Sequence, residues 1–141
     1  MAIRKWVLDV VLDTIESLVY SRIKNKIPST LMEKYPNLNI TTNSANLTNA
    51  EFPCIYIHMI ESPEQGEDME GTEVNALYVS FVIEIIDNKS ASNTNELSKS
   101  VQKIMKSMCF RVVGIPYNDN TDTTYRKVCR YRRTIGKNDT L

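Results

Sequence analysis

Nucleophilic and acid–base catalysis both need a base held beside the group it activates. This chain offers one histidine, His58, inside the run FPCIYIHMIE. A Ser-His-Asp or Cys-His device would have to use it, and no G-x-S-x-G frames any serine. The pattern around His58 reads as a strand, which makes it a side chain on a half-buried strand face. Cys54 stands four residues earlier and raises the question of zinc. On a strand the two share a face, but at roughly 3.3 Å per residue they stand about 13 Å apart. Zinc ligands lie within about 2.0 to 2.3 Å of one ion, so the pair predicts no metal site. Asp9, Asp13 and Glu16 fall on one helix face and read as solvated carboxylates. The acidic run 61–73 lacks the D-x-[DN]-x-[DN]-G order of a calcium loop and reads as exposed acid. The four glycines form neither a P-loop nor G-x-G-x-x-G. No residue is assigned as catalytic, cofactor-binding or metal-ligating, and no cofactor is expected.

What remains is charge. The formal net charge is zero, yet residues 61–73, ESPEQGEDMEGTE, carry six acids and no base. Residues 125–137 carry six bases and no acid. A uniform nucleic-acid binder is basic overall, whereas this chain carries two opposed patches. At 141 residues one domain with one modest core is expected. An apolar fraction of 42% and a charged fraction of 24% are those of an ordinary globular chain. Nothing approaches the roughly 18 consecutive apolar residues of a membrane span, so no membrane partner is expected. In the opening MAIRKWVLDVVLD, Asp9 and Asp13 interrupt the apolar run and no small-residue cleavage site follows. It reads as a helix and not a signal peptide, which predicts a protein made in a cytosol. The three cysteines are widely spaced without C-x-x-C, as small apolar residues of a reducing compartment would be.

The elements that would hold these patches follow from periodicity. Ile3, Trp6, Val7, Val10, Val11, Leu18, Val19 and Ile23 recur at helical spacing, predicting a helix over 1–27 that Pro28 stops. A helical turn follows over 30–35. An Asn- and Thr-rich loop comes next, with a short strand at 38–41. FPCIYIHMIE is a strand entered at Pro53, the acidic run is a flexible hairpin connection, and TEVNALYVSFVIEIID is a long strand. Along that strand Leu77, Val79, Phe81, Ile83 and Ile85 line one face at period two. A helix is expected over 95–108, then the short strand FRVVGI, the turn PYNDNTD and a last strand, TYRKVCRYRRTI. Residues 136–141 form a tail. This order predicts an α+β fold, a mostly antiparallel sheet of about four to five strands. A long N-terminal helix and a second helix would pack on one face. Residues 52–135 hold the sheet and that second helix, and 1–141 form the single domain.

In the last strand, period two sets Arg126, Val128, Arg130, Arg132 and Thr134 on one side. Tyr125, Lys127, Cys129, Tyr131, Arg133 and Ile135 fall on the other, the core side. Three readings of the outward arginines stay open. They make an edge strand soluble, they meet phosphates, or they meet acids of a neighbouring chain.

In its order of elements the chain resembles the tail terminator, or tail completion, proteins of long-tailed bacteriophages and prophages. The shared features are the amphipathic N-terminal helix, Phe52-Pro53 followed by CIYIHMIE, and the long strand ending VIEIIDN. ELSKSVQKIMKSM, FRVVG and YRKVCRYRRTI follow, with Tyr125-Arg126 and Arg130-Tyr131 closing the pattern. The likeness covers nearly the whole chain. One departure is Cys109 before Phe110, where a glycine is expected. The resemblance implies a structural virion protein and not an enzyme. Such proteins form a homo-oligomeric ring, commonly a hexamer, at the neck of the virion. The ring caps the head-proximal end of the tail tube and ends tube growth. Its partners are the tail tube protein and the head connector or stopper, and DNA passes only in transit. Another neck protein (head closure or connector) and a nucleic-acid-binding α+β domain are the alternatives. Glu64, Glu67, Asp68 and Glu70 are the expected subunit or tube interface. Arg126, Arg130 and Arg132 are the expected partner- or lumen-facing basic strand.

Overall fold

The computed structural model describes residues 3–4, 8–43, 51–60, 64–67 and 73–136, with side chains over 14–43, 51–60 and 78–135. In chain order the elements are β1 (Ile3–Arg4), α1 (Leu8–Lys26), α2 (Ser29–Lys34), β2 (Asn39–Thr41) and β3 (Cys54–Ile60). Then come β4 (Glu64–Glu67), β5 (Glu73–Asp87), α3 (Ala91–Ser107), β6 (Arg111–Asn118) and β7 (Tyr125–Gly136). The fold is α+β, as expected. Its main sheet path is β2-β3-β5-β7-β6, with β1 and β4 pairing to β5. Only β2–β3 is parallel among the described pairs, so the sheet is mixed but mostly antiparallel.

β5 is the spine because it is long enough to outrun every neighbour. β3 accompanies it from Ile86 to Ser80, and β4 then continues on the same side from Leu77 to Val74. β7 lines the other side from Asp87 to Ala76, and β1 follows it at Val74 and Glu73. The period-two pattern of β5 is borne out at Val79, Phe81, Ile83 and Ile85, which are all buried, while the Leu77 side chain lies outside those described. They join Ile55 and Ile57 of β3, Cys129 and Tyr131 of β7, and residues of all three helices in one cluster. From α1 the cluster takes Ile15, Val19 and Ile23, spaced four apart as one helix stripe requires. Leu18, expected on that stripe, is 49% exposed instead. α3 contributes Leu97, Val101, Ile104 and Met105, and Phe110 beyond it meets Phe81 edge-on at 5.6 Å.

Four expectations need correction. The N-terminal helix begins at Leu8, because Ile3–Arg4 takes the pairing positions on β5 beyond the end of β7; Trp6 and Val7 lie outside the described residues. α3 begins at Ala91, not at 95, because Ser90 caps it by accepting from Asn93 N at 3.3 Å. Asp87 Oδ2 supports that cap, accepting from Ser90 N at 3.0 Å and Asn93 Nδ2 at 2.9 Å. The acidic connection is not all loop, since β4 occupies part of it. Finally, β6 runs through Pro116 to Asn118 instead of ending in a turn there. A register shift between Val113 and Tyr117 absorbs the proline, with Gly114 at φ 74.

Cys109 occupies the position where glycine was expected, and its backbone explains the expectation. Its φ is 64, the left-handed region. Phe110 N donates to Met105 O and Cys109 N to Lys106 O, each at 3.0 Å. These are the two bonds of a Schellman cap, whose central position favours glycine.

Candidate protein interface

β7 carries the basic residues, and its place in the sheet decides what they can reach. It is not an edge strand over its basic run, because β6 pairs with it from Arg132 to Lys127. The edge-strand reading of the arginines fails for that reason. The turn at 119–124 folds β6 back onto β7: Thr121 N donates to Thr124 O and Asp119 N to Arg126 O, both at 2.9 Å. Sequence spacing alone does not show this pairing.

Pleating sends Arg126, Arg130 and Arg132 to the sheet face opposite the helix-packed cluster. Register places Arg130 beside Val82, and Arg132 beside Ser80 and Arg111. The same face takes Tyr56 and His58 from β3 and Tyr78 and Glu84 from β5. Cys54, Val82, Ile86 and Val128 are buried on this face yet stand outside the helix-packed cluster.

The three arginines differ in what they touch. Arg126 Nη1 lies 3.2 Å from Glu84 Oε1 and 3.8 Å from Asp119 Oδ2, so two carboxylates occupy it. The other oxygen of Glu84 lies 3.5 Å from His58 Nε2. His58 also stacks on Tyr56, with ring centroids 4.7 Å apart. Glu84 thus ties β3 to β7 across the spine. Arg132 lies over the Tyr78 ring at 4.5 Å, and its Nε is buried without an acceptor. Arg130 is exposed and makes no ion pair among the described residues. The expected row of outward arginines is therefore one paired, one exposed and one lying flat.

On the core side, Arg133 Nη1 donates to Met108 O at 2.8 Å, a cation at the C-terminus of α3. Arg132, Arg133 and Thr134 then line a 390 Å³ cleft with Arg111 and Cys109. Sequence reasoning assigned no role to Arg111. Its signal was the chance that β6 and β7 form a hairpin, and a six-residue turn hid it.

The acidic candidates are only partly visible. Glu64 and Glu67 lie at the two ends of β4, paired with Leu77 and Val74. Asp68 and Glu70 lie outside the described residues. Among the described residues no group of three His, Cys, Asp or Glu could hold a metal, and no helix is long and apolar enough to cross a membrane. Cys54 and His58 share a face as expected. Cys54 is fully buried and burial pushes its thiol up to about 11, while the His58 side chain is 36% exposed and turned to Glu84. Burial also raises the Tyr131 hydroxyl and the Cys129 thiol. Among the described residues His58 meets Glu84 and Tyr56. The chain matches no protein-family model and no curated protein.

Proposed function

We propose that this is a non-enzymatic assembly protein of the tail terminator type. In this reading it forms a ring, of about six subunits by the resemblance, on the head-proximal end of a phage tail tube. The ring ends tube growth and offers a surface to the head connector, and DNA passes through it. The observation that carries the reading is the sheet face opposite the cluster that the helices join. It combines arginines, stacked Tyr56 and His58, and the buried apolar residues Cys54, Val82, Ile86 and Val128. Arg and aromatic residues over an apolar centre are the composition of protein interfaces. The opposed acidic and basic segments support it further, because a ring needs two different complementary patches on each subunit.

The test is the native mass of the full chain at low salt, alone and mixed with assembled tail tubes. A ring, or capture onto tube ends, is the expected result. A monomer that ignores tubes and binds duplex DNA would overturn the reading, and that affinity must fall steeply with salt if Arg130 and Arg132 meet phosphates.

A further inference from the structure

The sheet face opposite the helix-joined cluster carries more arginines than its own acids meet. Arg126 faces Glu84 and Asp119, and Arg133, on the other face, donates to Met108 O. Arg111, Arg130 and Arg132 remain. No ion pair or hydrogen bond joins their guanidinium groups to another described residue. Arg132 lies instead over the Tyr78 ring at 4.5 Å, and its Nε is buried without an acceptor.

Register draws these three together. Arg111 stands directly across from Arg132, and Arg130 stands across from Val113, two residues along β7. Directly opposite residues share a face, with Cα atoms about 4.5–5.5 Å apart. The next residue on that face of one strand lies about 6.6 Å away. Like charges directly opposite destabilise a sheet. A guanidinium is never deprotonated in a protein, so ionisation cannot relieve the repulsion. Glu84, the acid of this face, already lies against Arg126 and His58. Beside the pair is the 390 Å³ cleft that Arg111 and Arg132 line with Cys109, Arg133 and Thr134. No carboxylate of the described residues lines it. At ~30 Å³ per water it has room for about a dozen waters, or for a tetrahedral anion with part of its hydration shell.

We propose that Arg111 and Arg132 hold a phosphate group at this cleft, with Arg130 as the next cation along the face. The planar fork of a guanidinium matches phosphate oxygens two at a time. One carboxylate neutralises one arginine, whereas a phosphate carrying about −1.5 to −2 charges neutralises the opposed pair. Free phosphate brings that charge on one group, and a nucleic-acid backbone brings it on neighbouring groups. The two sources share this chemistry, and the test separates them. All the residues belong to one chain, so the site does not need the ring.

Cys109 is exposed and lines the cleft, so it reports occupancy. The full chain is labelled with an uncharged thiol reagent across a titration of sodium phosphate. Sodium chloride of equal ionic strength and a short DNA duplex are titrated beside it, and native mass is read on the same samples. The variants are Arg111→Gln and, as a control outside the cleft, Arg126→Gln. In the expected result phosphate slows Cys109 labelling saturably, chloride does not, and native mass is unchanged. Arg111→Gln raises the phosphate needed about tenfold or more, as loss of a charge-assisted pair requires, and Arg126→Gln leaves it unchanged. Protection by the duplex at a lower concentration of phosphate groups assigns the site to a nucleic-acid backbone. Protection by free phosphate alone assigns it to a small anion, and both results uphold the site. Equal slowing by chloride, phosphate and duplex overturns the proposal, as does an Arg111→Gln protein that responds like wild type. Slowing that appears only with a rise in native mass also overturns it, because a second copy then covers Cys109, and the ring reading stands. A saturable phosphate effect on a chain that never associates upholds the site and counts against the ring.

Discussion

Replacing Cys109 by glycine is expected to stabilise the folded chain. Cys109 is exposed and sits at φ 64 in the cap that ends α3. A side chain in the left-handed region costs about 1–2 kcal/mol relative to the right-handed one. Glycine removes that cost but makes the unfolded chain freer, which returns roughly 0.5–1 kcal/mol. Little is lost from packing, because the thiol is exposed and the apolar contact of the cap belongs to buried Phe110 and Met105. The net gain is about 0.5–1 kcal/mol, or a rise in Tm of about 2–4 °C for a domain of this size. The assay is thermal and urea unfolding of wild type, Cys109→Gly, Cys109→Ser and Cys109→Val at one fixed protein concentration, since association also stabilises the folded form. Serine keeps the strain and should stay within about 0.5 kcal/mol of wild type, whereas β-branched valine should lose about 1 kcal/mol or more. A glycine variant less stable than serine would refute the reasoning, because then the backbone at 109 is not what limits the cap.

Under native conditions one thiol of three should react quickly with a thiol reagent, that of Cys109. Cys54 and Cys129 are buried with raised pKa values, so two quick equivalents would contradict the packing of β3 and β7. Stability should decline as pH rises from about 9 towards about 11. In that window the unfolded Cys54 thiol ionises while burial keeps the folded one neutral, so a flat curve in urea unfolding would count against its burial. Glu96 is held below the usual carboxylate range by Lys34 Nζ at 3.0 Å and by the Tyr35 hydroxyl. Its contribution is present above the unfolded carboxylate pKa and lost as pH falls through the folded value, and Glu96→Gln should flatten that acid limb. Tyr131 is the largest buried side chain of β7, and its hydroxyl has no acceptor in bonding geometry. The Cys129 thiol on the same face is at most a weak partner, so Tyr131→Phe should be neutral or stabilise by about 1 kcal/mol in chemical denaturation, and a loss above that would reveal a bond to the hydroxyl.

Much of this protein was legible without coordinates, and the reason is local. Alternation along β5 reports which residues face a core, whatever the core is made of, and Val79 to Ile85 lie as that pattern requires. The same rule sorted Cys129 and Tyr131 from Arg126 and Arg130. The glycine that the resemblance implied at 109 was not legible in the residue pattern itself; the position is a cysteine at positive φ. Pairing was not local and was not legible. Whether β7 is an edge depends on β6 folding back across a turn with no two-residue hairpin signal, and that turned an edge into an interior strand. Whether Ile3–Arg4 joins the helix depends on the space beside β5 where β7 ends. The charges show the division most plainly. Sequence alone determined that acids and bases are segregated. Only the tertiary structure paired Arg126 with Glu84, laid Arg132 over Tyr78, and set Arg111 beside Arg132 in one cleft. The contacts of a charged side chain are made across strands, by residues far apart in the chain, and periodicity carries no record of them.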